Sequence, residues 1–376
     1  MTQGVALAHD YATQRGGGER VALMMAQGFP GSPMYTALYS PEGTFPEFGS
    51  VPLRTSVLNK VGLFRRNHLL SLPLLAPAIS LQTVDADVLV VSSSGWAHGY
   101  RGARRTVVYC YTPARWLYFK DRYLGRRNPG ARGWARDRTA RVALTALGPA
   151  LRRWDYRAAH RADKYFAVST VVKQAIQDIY GIDAEVLLPP PANLTTGPSR
   201  PISGVQPGFL MCVARLLPYK NVDVVAEAVV RLGGPELVVV GEGPDRPRLE
   251  QIAQRSGGRI HLLGRIEDDQ IRWAYRHCGV LLAAAFEDFG LSPLEANSFG
   301  KPVVALRAGG FLDSVDEGVT GLYFDTLDIE VVAAAIQEAL HRRWDTAAIQ
   351  AHAAKFGEER FVTRLREAVE EQRARR

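Results

Sequence analysis

Short runs of apolar residues alternate along the chain with longer segments in which apolar positions recur every three or four residues. The short runs predict buried strands, since a strand covered on both faces needs no polar alternation. They lie at 5–9, 88–92 and 106–111 in the first half, and at 209–214, 237–241, 261–263, 280–284 and 302–306 in the second.

The segments between the second-half strands have the helical period, at 221–232, 246–256, 268–278 and 292–300. Strands that alternate with helices predict parallel sheets covered by helices on both faces. In such sheets, ligands bind at the carboxyl ends of the strands, beside the N-termini of helices. The residues that directly follow each strand are therefore the candidates for chemistry.

The segment before residue 209 reads LPPPANLTTGPSRPISGVQPG and has no apolar period. Its Pro, Gly and Ser content is typical of a linker. We therefore expect a domain at 1–188, a linker at 189–208, a second domain at 209–355, and a charged helix at 356–376 that packs back toward the first domain. A length of 376 residues fits two such domains.

The charge is divided unevenly between these halves. The formal net charge is +8, yet residues 1–189 hold 24 Lys/Arg and 13 Asp/Glu, and residues 101–164 alone hold 17 and 4. This excess predicts an anionic acceptor or an anionic membrane surface as partner for the first half, with a solvated helix face as the alternative. No motif supports a nucleic-acid partner.

Other features restrict the class of protein. The three cysteines stand far apart without a CxxC pair, which argues against a zinc site or a disulfide framework and fits a reducing cytosol. No apolar run reaches 18 residues, and the N-terminus meets charge too early for a signal peptide. We expect a cytoplasmic chain, free or peripheral at the inner face of the membrane. Segment 57–81 fits either an interfacial segment or a core helix.

Glycines and cations follow several strands. The turn Gly16-Gly17-Gly18 opens a helix after the first strand, which suits a close-approaching anion but also an ordinary tight turn. Arg215 and Lys220 follow the strand at 209–214 and could hold a diphosphate, although two solvated charges are the simpler interpretation. The turns that contain Gly241 and Gly243, and Arg265 and Ile266, end the next two strands. Asp85-Ala-Asp87 leads directly into a strand, so we predict no metal site.

The segment FEDFGLSPLE after the strand at 280–284 carries the strongest signal. Glu287 lies in the loop, and the backbone amides of Gly290 and Leu291 precede a helix, where a phosphate is stabilised. Glu295 could bind a ligand or close a capping box with Ser292. Two carboxylates also allow a glycosidase, which requires that both face one bond.

In combination, these motifs resemble the retaining glycosyltransferases of family 4. The resemblance rests on EDFGLSPLEA, with its two glutamates seven residues apart, and on HDYATQRGGGERV, SSSGWAHG, VARLLPYKN, VVGEGP and GKPVVALRAGGFLDSV. It implies the GT-B fold, in which two Rossmann-like doubly wound domains face each other across a cleft. HDYATQRGGGERV and YCYTPARWLYF most resemble the bacterial mannosyltransferase-like branch, which often uses GDP-mannose, and a UDP-sugar stays open as the donor.

The resemblance implies roles for individual residues. Arg215 and Lys220 would bind the donor diphosphate, Glu287 would contact the transferred sugar, and Glu295 would bind the ribose hydroxyls. Gly309 and Gly310 would lie in a loop below the donor. The full donor-binding set comprises Gly17, Gly18, Gly241, Gly243, Arg265, Ile266, Phe289, Gly290, Leu291 and Glu295. No cofactor is implied beyond the sugar nucleotide as co-substrate.

One position departs from that branch, which commonly reads Tyr-Cys-His-Thr-Pro and here reads Tyr-Cys-Tyr-Thr-Pro. Tyr111 replaces a histidine that usually faces the donor, and a tyrosine carries no positive charge at neutral pH. His98 is the nearest alternative imidazole in the sequence, with a packed or capping role as its simpler interpretation. Three functions therefore remain: a glycosyltransferase, a catalytically impaired sugar-nucleotide-binding subunit, and a glycoside hydrolase or phosphorylase.

Overall fold

The first half of the chain forms a parallel sheet in the order β3-β2-β1-β4-β5-β6-β7. The structure is a computed structural model that describes residues 4–119 and 147–375, and the centre of the basic stretch 101–164 lies outside this range. The described strands of this sheet are β1 (Val5–His9), β2 (Met34–Thr36), β3 (Leu53–Thr55), β4 (Val88–Ser93), β5 (Arg105–Cys110), β6 (Lys164–Ala167) and β7 (Glu185–Val186).

The second half forms another parallel sheet, in the order β10-β9-β8-β11-β12-β13. The predicted fold class, two doubly wound parallel-sheet domains, is confirmed. The apolar runs did not predict β2, β3, β6, β7 or β13, which have two to four residues. The sheet consists of β8 (Leu210–Val213), β9 (Leu237–Val240), β10 (Ile260–Gly264), β11 (Val280–Ala283), β12 (Val303–Leu306) and β13 (Gly321–Phe324).

Helices connect the strands, and their buried positions follow the helical period. In Val222–Leu232, residues Val222, Val225, Ala226 and Val229 are buried at spacings of three and four. The α-helical segments of the described residues are Gly17–Gly28, Gly62–Arg66, Leu72–Ser80, Arg115–Tyr118, 147–159, Thr170–Tyr180, Val222–Leu232, Arg246–Arg255, Asp268–His277, Ser292–Ser298, Phe311–Ser314, Ile329–His341, Thr346–Ala354 and Glu358–Ala374.

Each sheet reverses its strand order once. The reversal falls between β1 and β4 in the first sheet and between β8 and β11 in the second. Connections leave such a pair of strands toward opposite faces of the sheet, so a crevice opens at their carboxyl ends. In register, His9 of β1 stands beside Ser92 of β4, and Leu281 of β11 stands beside Met211 of β8. These two points are where each sheet can bind a ligand.

The chain divides into two units by its contacts, and the division differs from the predicted linker. The first unit extends to Pro189 and includes Glu358–Arg376, and the second is Pro190–Gly357. Most of the segment predicted as a linker, 189–208, therefore belongs to the second unit. Leu194 and Ile202 are buried against its core, beside Phe209 and Trp273. Four scattered apolar side chains, which show no period, attach this proline-rich segment to the core: Ala192, Leu194, Ile202 and Val205.

The last helix, Glu358–Ala374, packs on the first unit. Phe361 is buried with its ring 5.1 Å from that of Tyr109, edge to face. Arg364 pairs with Glu185 of β7 at 2.7 Å, and Arg366 donates to the carbonyl oxygen of Gly28 at 2.7 Å. Among the described residues, no helix combines the length and the apolar character needed to cross a membrane.

Candidate functional site

An ion pair joins the two strands at the reversal point of the second sheet. Lys220, in the 3-10 turn Pro218–Lys220 after β8, donates from Nζ to Oε1 of Glu287, which follows β11. The Lys220 residue is only 8% exposed. A buried ammonium needs a partner of opposite charge, and the carboxylate of Glu287 supplies it at this position.

Asn221 ties the same two loops together through the backbone. Its Nδ2 donates to the carbonyl oxygen of Ala284 at 2.8 Å. The residue adopts the left-handed region, with φ of 53°, which asparagine tolerates better than most residues. Asn221 stands at the N-cap position of the helix Val222–Leu232, but its side chain makes no cap hydrogen bond. Its amide fixes the distance between the loops instead.

Arg215 lies directly after β8 and is exposed, unlike Lys220. Its Nη2 is 3.4 Å from the hydroxyl of Tyr219, a long contact. Lys220 Nζ lies 5.1 Å from the ring centroid of the same tyrosine. The two cations therefore flank Tyr219 at one strand end, one anchored by Glu287 and the other directed to solvent.

The loop that carries Glu287 rests on a second, glycine-containing loop. The amide of Gly310 donates to the carbonyl oxygen of Glu287 at 2.8 Å. A Cβ on Gly309 would lie 2.3 Å from that oxygen, and one on Gly310 would lie 2.2 Å from Cα of Phe289. No side chain fits between the loops, so both glycines are required for this close approach.

The amides predicted to bind phosphate stand at the start of Ser292–Ser298. Gly290 has φ of 83°, and a Cβ there would lie 2.3 Å from the ring of Phe311. Within the described part of the chain, the amides of Gly290 and Leu291 donate to no other group. Phe289, in the same loop, is buried.

Glu295 does not form the capping box that the sequence allowed. The residue before the helix is Leu291, and no side chain caps the helix. Glu295 instead accepts a hydrogen bond from the hydroxyl of Tyr275 at 2.6 Å. Burial raises the pKa of Tyr275 well above its usual value, so its phenol stays a donor. Because Tyr275 comes from the helix Asp268–His277, this contact could not be predicted from local spacing.

The turn glycines after β9 serve close packing. A Cβ on Gly241 would lie 2.0 Å from the carbonyl oxygen of Ala214, and one on Gly243 would lie 2.2 Å from that of Leu216. Both glycines thus let the backbone of this turn pack against the loop that carries Arg215. Arg265, after β10, is exposed, and Ile266 is partly buried.

In the first unit, a chain of buried hydrogen bonds crosses the strand reversal between β1 and β4. His9 Nδ1 is 2.8 Å from Ser92 Oγ, which is 2.9 Å from the hydroxyl of Tyr111. That hydroxyl donates to the carbonyl oxygen of Gly18 at 3.1 Å. Burial raises the pKa of Tyr111, so the phenol is neutral over the physiological range. Tyr111 therefore fixes the Gly17-Gly18 turn at the start of Gly17–Gly28.

His98 lies in a separate buried network. Its Nδ1 is 3.1 Å from Ser93 Oγ, and its Nε2 is 3.0 Å from Oδ1 of Asp155. Asp155 also accepts from the hydroxyls of Tyr118 at 2.9 Å and Tyr180 at 2.8 Å. Both ring nitrogens of His98 thus lie against buried polar side chains, which fits the packed role that the sequence left open.

Asp10 is a structural residue that the sequence analysis did not single out. It is the first residue after β1, and its carboxylate accepts from the amides of Trp96 at 3.0 Å and Ala97 at 2.6 Å, and from that of Ser94. It shapes the SSSGWAHG loop after β4. Asp10 is the first polar residue after a buried strand, and that position was the sequence feature that could have identified it.

The remaining acidic residues and the cysteines form no metal site within the described part of the chain. Asp85 and Asp87 are exposed before β4, where Asp87 lies 3.8 Å from Arg104. No cluster of three His, Cys, Asp or Glu side chains suited to a metal occurs among residues 4–119 and 147–375. The three cysteines are free and buried, and burial raises the pKa of the Cys212 and Cys278 thiols to about 12.

Comparisons with known proteins agree with this arrangement. The model of Glycosyltransferase Family 4 matches residues 15–195, and the model of Glycosyl transferases group 1 matches residues 200–359. A glycogen synthase of Pseudomonas fluorescens is 34% identical over 145 residues, 37% of this chain and 27% of the relative. A D-inositol 3-phosphate glycosyltransferase of Geodermatophilus obscurus is 30% identical over 235 residues, 54% of this chain and 51% of the relative. The chain thus spans about a quarter to a half of these relatives.

Solved structures resemble the chain over nearly its whole length. Anabaena HepE, in complex with UDP and glucose, has a TM-score of 0.67 at 18% identity, covering 98% of this chain and 99% of that one. Sucrose-phosphate synthase from Thermosynechococcus elongatus has a TM-score of 0.68 at 16% identity, covering 98% of each. Identities this low establish the fold alone. Two glycosyltransferase family models thus match successive parts of the chain, and its two parallel-sheet units have the GT-B fold.

Proposed function

We propose that this chain is a retaining hexosyltransferase that moves a hexose from a nucleoside diphosphate sugar to an acceptor hydroxyl. The acceptor would be a lipid-linked or other glycan in the synthesis of a surface polysaccharide or glycolipid. The observation that carries the proposal is the Lys220–Glu287 pair beside Arg215 at the strand reversal of the second sheet. The matches to the two glycosyltransferase family models support it independently.

The chemistry requires that negative charge be stabilised on the departing diphosphate. The bond between the anomeric carbon and the phosphate oxygen breaks, and its electron pair stays on that oxygen. The acceptor hydroxyl attacks the anomeric carbon from the same face, and its proton passes to the leaving diphosphate. Arg215, Lys220 and the amides of Gly290 and Leu291 would stabilise that diphosphate.

The ion pair has a physical role before and after the donor binds. Without donor, Glu287 compensates the buried charge of Lys220. With donor, Lys220 would lie between the carboxylate and the diphosphate, where it reduces the repulsion between these two anions. Glu287 could then contact the sugar hydroxyls near the anomeric carbon, while Glu295 would bind the ribose.

The first unit supplies the other proposed residues. Gly17 and Gly18 would offer backbone to the donor diphosphate, held in place by Tyr111. We assign His98 a positioning role, since its ring lies buried between Ser93 and Asp155. The neutral Tyr111 supplies no charge, so Arg215 and Lys220 carry the charge stabilisation.

The identity of the donor is part of the proposal. The motifs around Gly17 and Tyr111 favour GDP-mannose, through their resemblance to the mannosyltransferase-like branch. The structural similarity to HepE with UDP and glucose makes UDP-glucose the main alternative. Because Arg215 and Lys220 would both face the diphosphate, we propose transfer that needs no added metal.

A catalytically impaired subunit is the second candidate, motivated by Tyr111. The intact pair of Lys220 and Glu287 opposes it, since a buried ion pair is costly to retain without a task. A glycoside hydrolase fits less well, because Glu287 is bound to Lys220 and Glu295 to Tyr275, and neither carboxyl stands ready as a general acid.

A panel of donors tests the proposal. Purified protein would be incubated with GDP-mannose, UDP-glucose and other GDP- and UDP-sugars, with and without glycan or lipid-linked acceptors, and with EDTA. Nucleotide release and the anomeric configuration of the product would be followed by NMR. We expect release from one donor class, a retained configuration and no loss in EDTA. Binding without release from any donor would favour the impaired subunit, and cleavage of glycosides would favour the hydrolase.

A further inference from the structure

The helix Leu72–Ser80 is apolar on both its inner and its outer face. Its outward positions are Leu74, which is 44% exposed, Pro77, and, just past the helix, Leu81, which is 80% exposed. Their spacing of three and four places them on one face. Helices of globular proteins normally direct polar residues outward, and this outer face carries apolar residues instead. The inward face is buried, at Leu72, Leu75, Ala76, Ala78 and Ile79.

The exposed apolar surface continues through the segment before this helix. The ends of that segment are close together, because Gln82 Nε2 donates to the carbonyl oxygens of Arg54 at 3.3 Å and Thr55 at 3.4 Å. Val57, which is 65% exposed, and Leu81 therefore both lie next to this junction. The 57–81 surface comprises the exposed side chains of Val57, Val61, Leu63, Leu70, Leu74 and Leu81.

Cations accompany this surface without acidic neighbours in the sequence. Between Glu47 and Asp85, the chain holds four basic residues, Arg54, Lys60, Arg65 and Arg66, and no carboxylate. Arg54, Lys60 and Arg66 are exposed, while Arg65 donates to the carbonyl oxygen of Asn59 at 2.6 Å. Within the described residues, none of the four forms a salt bridge.

We propose that the 57–81 surface docks on an anionic lipid bilayer. Its aliphatic side chains would enter the boundary between headgroups and acyl chains, and its cations would contact lipid phosphates. A second copy of the chain suits the surface less, because a symmetric contact would bring equal patches of positive charge together. The inference rests on the proposed function for its purpose, access to a lipid-linked acceptor.

Vesicle co-sedimentation tests the apolar part. Full-length protein would be mixed with vesicles of phosphatidylcholine alone, or with added phosphatidylglycerol. We expect binding to the anionic vesicles at low salt and weak binding to the neutral ones. Leu74→Ser with Leu81→Ser should lower the partition coefficient by at least about tenfold, since each buried leucine contributes about that factor. Leu327→Ser with Leu340→Ser, exposed leucines of the second unit, is the matched control.

Neutralisation of two cations tests the charged part of the surface. Lys60→Gln with Arg66→Gln should weaken binding at low salt about tenfold or more, because each cation near an anionic surface contributes about fivefold. High salt should remove this difference by screening. Arg276→Gln with Arg343→Gln removes the same charge from exposed sites in the second unit and should leave binding unchanged.

Several results would overturn the inference. These are no binding to anionic vesicles, equal binding to neutral vesicles, or unchanged binding in both 57–81 variants. A wild-type dimer that Leu74→Ser with Leu81→Ser dissociates, without vesicle binding, would identify an interface between copies instead. Donor turnover without vesicles, measured on the same preparations, separates the two proposals. Turnover without vesicle binding would contradict only this inference, and vesicle binding without turnover would contradict only the proposed function.

Discussion

The ammonium of Lys220 donates a hydrogen bond to the carboxylate of Glu287, across 67 residues of sequence. The contact closes the strand reversal between β8 and β11, at the edge where parallel sheets bind ligands. Lys220 is buried and Glu287 compensates its charge, so removal of Glu287 would leave Lys220 without a charged partner.

Glu287→Gln is expected to reduce donor turnover by about a hundredfold, since it removes the charge that we propose contacts the reacting sugar. It should also destabilise the second unit by about 1–3 kcal/mol, because Lys220 is left buried and unpaired. Turnover and thermal unfolding measure the two effects. Lys220→Met with Glu287→Gln should recover part of the stability but no activity.

Glu330→Gln is the control for Glu287→Gln. It breaks a surface ion pair with Arg231, where both side chains are more than 60% exposed, and should change neither turnover nor stability noticeably. If Glu287→Gln keeps wild-type turnover, the assignment of the site to this strand reversal is wrong.

Tyr111→Phe removes the hydrogen bonds to Gly18 and Ser92 while keeping the ring. We expect kcat/KM for the donor to fall about five- to tenfold, the value of one buried hydrogen bond. Tyr111→His should add a titratable imidazole, visible as a new limb in the pH profile, whose pKa burial holds below the usual value of about 6.5. Tyr156→Phe, at an exposed site of the same unit, is the control, and a Tyr111→Phe profile identical to wild type would refute the positioning role.

Gly310→Ala would place Cβ 2.2 Å from Cα of Phe289, so the loop that carries Glu287 must move. We expect donor turnover to fall more than about tenfold, with a stability loss of about 1–3 kcal/mol from overpacking. Gly234→Ala is the matched control, because its Cβ would meet no atom within 4 Å. Equal turnover in the two variants would show that the close approach of the loops has no functional weight.

Acid should weaken the attachment of the last helix to β7. Hydrogen bonds from Arg364, followed by those from Lys164, lower the pKa of Glu185 to about 2 from a usual value of 4.5. A lowered pKa contributes stability that is complete above pH 4.5 and is lost as the pH falls toward 2. Glu185 is partly exposed, so solvent screening limits the contribution to about 1 kcal/mol.

Melting temperatures of wild type and Glu185→Gln, measured from pH 7 to pH 2.5, check this expectation. The difference should be largest near neutrality and shrink below pH 4.5. Glu370→Gln controls for the change in net charge, since it removes an exposed carboxylate from the same helix. A difference independent of pH would show that the Arg364–Glu185 contact does not couple the helix to the sheet.

Much of the architecture could be predicted from local pattern. Apolar runs located β1, β4 and β5 and the strands of the second sheet except β13, because burial on both faces leaves a readable signature. The same pattern located Arg215, Lys220 and Glu287 directly after strands. β2 and β7, with three and two residues, are too short for any period to register.

Local pattern did not predict the contacts between segments that are distant in the sequence. The capping box that the sequence allowed as an alternative for Glu295 is absent, and the hydroxyl of Tyr275 contacts this carboxylate from another helix. The proline-rich segment after Pro189 has no period, yet its scattered apolar residues fill the core of the second unit. Both outcomes depend on which segments become neighbours, and local composition does not specify that.

The sequence by itself determined the two halves, the parallel-sheet class and the strand ends at which the chemistry must lie. Only the tertiary structure decided that Lys220 pairs with Glu287, that Tyr111 holds the Gly18 turn, and that Leu74 and Leu81 face solvent. The physical reason is the range of the interactions. Burial patterns repeat over a few residues, whereas an ion pair or an open face arises where strands distant in sequence are brought side by side.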